Sequence, residues 1–364
     1  MNDRLLLGTR KGLFDLRWKN GAWIVANKNF IGQPVSMLLS DPRDGALYAA
    51  LALGHFGIKL HRSDDDGATW RELPAPAMPK VEDADKADDK KAPSVSLIWS
   101  LEAGNVDQPG LLWAGTIPGG LFRSADRGES WTLNEPLWNQ PARPSWFGGG
   151  YDQPGIHSIC VDPRDSGRIL LGVSCAGAWL SEDSGKSWRQ SAHGMIAEYM
   201  PPEQRANPDI QDPHRVVQSP ANPDVFWTQH HNGVFRSDNG GTEWWEITAI
   251  APSKFGFAVA VHPEDPDTAW FVPGVKDECR VPVDGALAVA RTRDGGKSFD
   301  VLRNGLPQEN AYDLIYRHGL AVDATGRCLA MGSTTGHLWL SDDGGDAWSL
   351  VGGNLPPIAC VRFA

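Results

Sequence analysis

The sequence predicts an all-β chain folded as a seven-bladed β-propeller, and three observations carry that expectation. A turn-forming word recurs six times, the composition is rich in Gly, Pro and Trp, and the two termini each read as strand without a complete blade of their own.

The repeat carries most of the weight. Ser/Thr-x-Asp-x-Gly-x-x-aromatic stands at Ser63–Trp70, Ser124–Trp131, Ser181–Trp188, Ser237–Trp244 (with Asn239 in the Asp place), Thr292–Phe299 and Ser341–Trp348. Each part has a mechanical reason. The Asp carboxylate accepts local backbone N–H groups, and the Gly supplies a positive φ. The Ser or Thr hydroxyl ties the turn to the strand before it, and the aromatic packs into the core. Successive copies start 61, 57, 56, 55 and 49 residues apart. Four short strands occupy about 40–45 residues, so each unit is one blade with extra loop.

Composition agrees. Among 364 residues stand 40 Gly, 27 Pro and 16 Trp, which suits many short strands joined by tight turns. That length suggests two ordinary domains, but a repeat fold adds core with each unit and stays one domain. Six blades are expected at about 35–75, 94–133, 156–190, 213–248, 255–302 and 313–351. The N-terminal Gly8-Thr-Arg-Lys-Gly12-Leu-Phe14 repeats the word that precedes several turns, as in Gly120-Leu-Phe122-Arg-Ser124. It marks a seventh blade, residues 1–30, lacking its innermost strand. The C-terminal segment 356–364 supplies that strand and closes the ring, which removes exposed sheet edges.

Charge and cysteine usage limit the partners. The formal net charge is −11, which disfavours nucleic acid and anionic membrane surfaces. No apolar run approaches membrane-spanning length, and the three N-terminal leucines are too few for a signal-peptide core. Five scattered cysteines without a Cys-x-x-Cys pair read as reduced thiols, so a cytoplasmic location is expected. The stretch Lys80–Lys91 alternates charges with no apolar period and reads as a solvated loop. Oligomeric state is left open.

Aligning the innermost strands places a histidine in the second position of three blades: His157, His214 and His318. Equivalent positions form a layer about the central channel, so these imidazoles are expected to converge and to suit one divalent transition metal, Zn, Mn or Fe. The alternative is a hydrogen-bonded histidine layer without an ion. Connections between second and third strands open on the same face. They carry His55, the run Gln229-His230-His231-Asn232, and an insertion holding Glu278 and Arg280. His231 and Glu278 are candidates for proton transfer and Arg280 for clamping an anion; a solvated loop ion pair is the plainer reading of the last two. His55, Trp146 and Gln229 are candidates for substrate contact, with Trp146 either a stacking platform or a packed rim aromatic.

The repeated word resembles that of the Asp-box, or bacterial neuraminidase repeat, β-propeller superfamily, in which it marks the turn between the third and fourth strands of a blade. Gly54-His-Phe-Gly57 and Gln229-His-His-Asn-Gly-Val-Phe235 are similar to an uncharacterised bacterial group of glycosyl hydrolase-like repeat proteins. The superfamily includes sialidases, other glycoside hydrolases and binding proteins, so fold alone does not choose. A sialidase carries a Phe/Tyr-Arg-Ile-Pro word near its N-terminus, which this chain lacks. The resemblance therefore implies a glycosyl hydrolase-like enzyme other than a sialidase, acting on a small polar or carbohydrate ligand by hydrolysis or elimination. The alternative is a non-catalytic ligand- or protein-binding propeller scaffold.

Overall fold

A computed structural model describes residues 3–79 and 93–364; the charged stretch 80–91 lies outside them. The fold is a seven-bladed β-propeller of seven four-stranded antiparallel sheets. Ile358–Phe363 pairs antiparallel with Arg4–Thr9 and becomes the innermost strand of the first blade, so the C-terminus closes the ring as the sequence implied. Leu5, Leu7, Leu338, Leu340, Ile358 and Val361 form one buried cluster across the seam between the first and last blades.

The repeated word folds as its chemistry dictates, between third and fourth strands. In the copy at 181–188, Ser181 Oγ donates to Asp183 Oδ1 at 2.9 Å and accepts from Gly185 N at 2.8 Å. Asp183 then accepts from Ser187 N and Ser187 Oγ. Gly185 has φ +82°, a conformation a side chain would strain, and Trp188 packs inward at 7% exposure. The same bonds recur at Ser63, Ser124 and Thr292, at Ser341 with Ala347 giving only its N–H, and Asn239 keeps the pattern with its amide oxygen.

The innermost strands are Val35–Ser40, Leu97–Ala103, Ile156–Val161, Pro213–Gln218, Gly256–Val261 and the short Leu320–Val322. In five of them the pairing register slips near the second residue, between Val35/Met37, Ile98/Ser100, Ile156/Ser158, Pro213/Arg215 and Gly256/Val259. A bulge leaves one residue unpaired and re-aims its side chain. His157, His214 and Trp99 are such residues, and Phe257 lies within the slip of its own strand. They form a tight layer at one end of the channel: Trp99 packs edge-on to His157 at 5.5 Å, and His214 stacks on Phe257 at 4.3 Å.

All five cysteines are free thiols. Among the described residues, no helix is long and apolar enough to cross a membrane.

Candidate functional site

Above the bulged layer lies an open cavity of about 630 Å³, walled by Phe147, Tyr199, Phe255, Phe257 and the 275–280 insertion. Its floor holds Asp212, His214, His231 and Arg317. Asp212 closes the loop before the innermost strand Pro213–Gln218, and the backbone pair His231 N to Asp212 O at 2.9 Å brings the two chain segments together. On the strand Phe226–His230 and just past it, neighbouring side chains face opposite ways. His230 therefore points into the blade at 0% exposure, while His231 enters the cavity.

Asp212, His214 and His231 form the one group of His, Cys, Asp or Glu, among the described residues, whose ligand atoms all fall within 4.8 Å. Asp212 Oδ2 stands 3.5 Å from His214 Nε2 and 3.5 Å from His231 Nδ1. Those separations are long for hydrogen bonds. They match the edges, about 3.3–3.5 Å, between ligands that bind one ion tetrahedrally at about 2.0–2.1 Å. Two of the three ligands are fixed from behind. His214 Nδ1 donates to the Gly256 carbonyl at 2.7 Å, which leaves Nε2 with its lone pair toward the carboxylate. Asp212 Oδ1 accepts from Ser174 Oγ and Cys175 N, both at 3.1 Å, which leaves Oδ2 free. Gly149 lies over the cluster, where a Cβ would fall 3.2 Å from Asp212 Oδ2 and 2.8 Å from Cys175 Sγ. The residues thus fit a divalent ion in donor type, spacing and room.

Electrostatics follow from the same contacts. Burial alone would raise the Asp212 pKa, but the two histidines and Arg317 outweigh it and hold the carboxyl well below its usual range. Burial lowers His214 below the ordinary imidazole value. His231 is half-open to the cavity; burial works against its charge, yet Asp212 raises its pKa. His230 is pushed down to about 3 by burial. Its two ring nitrogens face the N–H groups of Asp212 and Asn232; the neutral ring can accept from one of them, and a second ring proton would leave it able to accept from neither.

The structure separates the expected metal set. Only His214 belongs to the cluster. His157 is fully buried behind Trp99, with Nδ1 on Ser158 Oγ. His318 Nε2 donates to the His157 carbonyl at 2.9 Å, and its Nδ1 accepts from Arg362 at 3.1 Å, so neither ring nitrogen is free. For His157 and His214 the cause is the bulge, from which the side chains turn to different neighbours; His318 lies ahead of the short strand Leu320–Val322 and is bridged to Cys360.

The other candidates divide in the same way. His231, Glu278 and Arg280 line the cavity. Glu278 is largely exposed beside Lys276, and Arg280 is tied to Asp277 at 2.5 Å. Three substrate-contact candidates fall elsewhere. His55 is exposed on a short 3-10 turn against Phe56, away from the cavity. Trp146 is 7% exposed and packs on Trp179 and Arg143, so it is a rim aromatic and not a platform. Gln229 is buried, its amide donating to the carbonyls of His230, Gly233 and Lys254; it staples the loops that shape the cavity. Asp212, Arg317 and Tyr199 also line the cavity, and no repeated word points to them. Asp212 precedes a Pro-His pair outside any repeated word, and Arg317 stands one place before the aligned histidine.

No family model matches the chain. It is 25% identical over 368 residues to a probable oligoxyloglucan-reducing end-specific xyloglucanase of Neosartorya fischeri, covering 93% of this chain and 41% of that protein. The crystal structure of a GH74 xyloglucanase from Xanthomonas campestris superposes with a TM-score of 0.64 at 18% identity, over 96% of this chain and 53% of that one. A structure of YCF48 bound to D1 peptide matches with a TM-score of 0.51 at 16% identity, over 87% and 82% of the two chains. The chain thus spans about half or less of the xyloglucanases it matches, and the structural likenesses establish the propeller fold.

Proposed function

We propose that the chain is a glycosyl hydrolase-like enzyme outside the sialidases, acting in this cavity on a glycan or small polar substrate by hydrolysis or elimination. One divalent transition metal, Zn, Mn or Fe, belongs to the site, held by Asp212, His214 and His231. The observation that carries the reading is the convergence of Asp212 Oδ2, His214 Nε2 and His231 Nδ1 within 4.8 Å on the cavity floor, with Asp212 and His214 each held by a partner behind it. A metal in such a site polarises a substrate oxygen and lowers the pKa of a bound water.

The chain's own residues do the rest. Asp212 stays ionised, and the Gly256 carbonyl selects the tautomer that frees His214 Nε2. Phe255 and Phe257 give the floor an apolar wall that excludes water from one side. Glu278, exposed at the rim beside Lys276, is the carboxylate placed to exchange a proton with a bound ligand. Likeness to xyloglucanases supports a carbohydrate ligand, and the absent Phe/Tyr-Arg-Ile-Pro word supports a place outside the sialidases.

The test is elemental analysis of protein purified without chelator, beside His231→Ala and His214→Phe, followed by an oligosaccharide screen for new reducing ends and unsaturated products. The expected result is about one equivalent of metal in the parent protein, lost in both folded variants, with turnover of at least one glycan class. Absence of metal after reconstitution with all three ions, together with no turnover, overturns the proposal in favour of a binding scaffold.

A further inference from the structure

Five arginines are buried among the described residues, and four of them are paired twice. Arg4 meets Asp15 and Asp66, Arg62 meets Asp64 and Glu129, Arg236 meets Asp238 and Asp267, and Arg291 meets Asp300 and Asp346. In these four the fold neutralises the buried guanidinium with two carboxylates, as desolvation of a charge requires.

Arg317 is the exception. It is 7% exposed, its Nε has no hydrogen-bond partner, and no carboxylate of the described residues lies within ion-pair distance. Its guanidinium sits 4.5 Å from the Trp99 ring and 5.2 Å from the Phe257 ring. Aromatic faces offset part of the charge but accept no N–H bonds in the guanidinium plane, so the donor edge stays unsatisfied. That group lines the cavity floor together with Asp212. Asp212 is already engaged by His214, His231, Ser174 and Cys175. Arg280, which also approaches the Phe257 ring, is committed to Asp277.

We infer that Arg317 is the anion-binding residue of the cavity and that the ligand carries an oxyanion, a carboxylate or a phosphate, which completes the missing pair. A planar guanidinium fixed by two rings presents parallel N–H bonds to two oxygens of such a group, and pays little ordering entropy to do so. The inference rests on the cavity being the substrate site, as proposed above, and narrows the ligand from any glycan to a sugar acid or a sugar phosphate.

Binding of glucuronate, glucose, glucose 6-phosphate and inorganic phosphate to the whole chain tests it, measured by calorimetry on the parent protein, Arg317→Met and Arg317→Lys. The expected result is that at least one acidic sugar binds about tenfold or more tighter than glucose. That preference disappears in Arg317→Met and is partly kept in Arg317→Lys. Preference for glucuronate assigns a carboxylate, and preference for glucose 6-phosphate or inorganic phosphate assigns a phosphate. Equal binding of glucose and both acids, or an acid preference unchanged in folded Arg317→Met, overturns the inference. Metal content is read on the same samples. Retained metal with lost anion preference isolates the role of Arg317, whereas absent metal with intact anion preference sinks only the metal reading.

Discussion

Asp212 Oδ2 and His214 Nε2 face each other at 3.5 Å, and neither atom brings a proton of its own when His214 is neutral. Two acceptors held in opposition require a proton or a cation between them. Ser174 and Cys175 hold the carboxylate from one side and Gly256 holds the imidazole from the other, so the opposition is built into the backbone.

Asp212→Asn follows directly. The side-chain oxygen can keep its bonds to Ser174 and Cys175, but the ligand atom loses its charge. Metal affinity should fall by about 100-fold or more, since partners behind a ligand alone are worth about 10–100-fold. Competition against a chromogenic chelator reads the change. Unaltered affinity in the folded variant would show that Asp212 is not a ligand.

How far the sequence could be read divides at the bulges. The turns at Ser63 to Ser341 were legible because the word contains its own hydrogen-bond partners and its positive-φ glycine. Closure by Ile358–Phe363 was legible because an unpaired strand at each end has one economical solution. His157 and His214 hold equivalent places in their strands, but register alone does not say that they bulge out of the ladder. Nor did sequence spacing show that His318 spends both ring nitrogens on His157 and Arg362. Asp212 and Arg317 sit beside the aligned positions, and only the three-dimensional closure of loops 149–150, 212 and 231 makes them neighbours.

Acid stability should show two separate windows in metal-free protein. His157, His214, His230 and His318 all have folded pKa values below the ordinary 6.5, mainly through burial. The unfolded chain then binds more protons below that value, so stability is lost as pH falls from about 6.5. His230 alone, at about 3, should cost about 1.4 kcal/mol for each pH unit through most of that range. His231 has the opposite sign. Its raised pKa contributes stability that is complete below 6.5 and lost as pH rises through the folded value. Asp65, Asp183 and Asp294, lowered from 3.8 to about 2 by turn hydrogen bonds, give a second window. Their contribution is present above 3.8 and lost as pH falls toward 2. Urea unfolding across pH measures both, and a flat profile from about pH 7 to 5 would contradict the buried neutral histidines.

A single turn hydroxyl should matter more than its size suggests. Ser181→Ala removes the acceptor of Gly185 N, a buried N–H with φ +82° that has no other role. An unsatisfied buried donor costs about 1–3 kcal/mol. The midpoint in urea should shift by that amount with the slope unchanged, and metal content should not move, because the turn lies between third and fourth strands and away from the cavity.

The closing strand offers the most severe test of the architecture. Val361 is fully buried in the seam, paired with Leu7, and its N–H donates to the His318 carbonyl at 2.8 Å. Val361→Asp would bury a carboxylate among Leu5, Leu7 and Leu338, with no cation placed to receive it. That mechanism belongs to the exceptional class of substitutions costing more than about 4 kcal/mol. Because the strand joins the first blade to the last, the loss should appear as cooperative unfolding of the whole ring and not as fraying of one end. Hydrogen exchange distinguishes the two: protection should drop in Arg4–Thr9 and in the blades at about 255–302 and 313–351 together. Ala364→Asp, one residue beyond the strand and partly exposed, should leave protection unchanged. If Val361→Asp loosened only residues 358–364, the C-terminal strand would be an appendage to a ring held closed by its blades' outer packing.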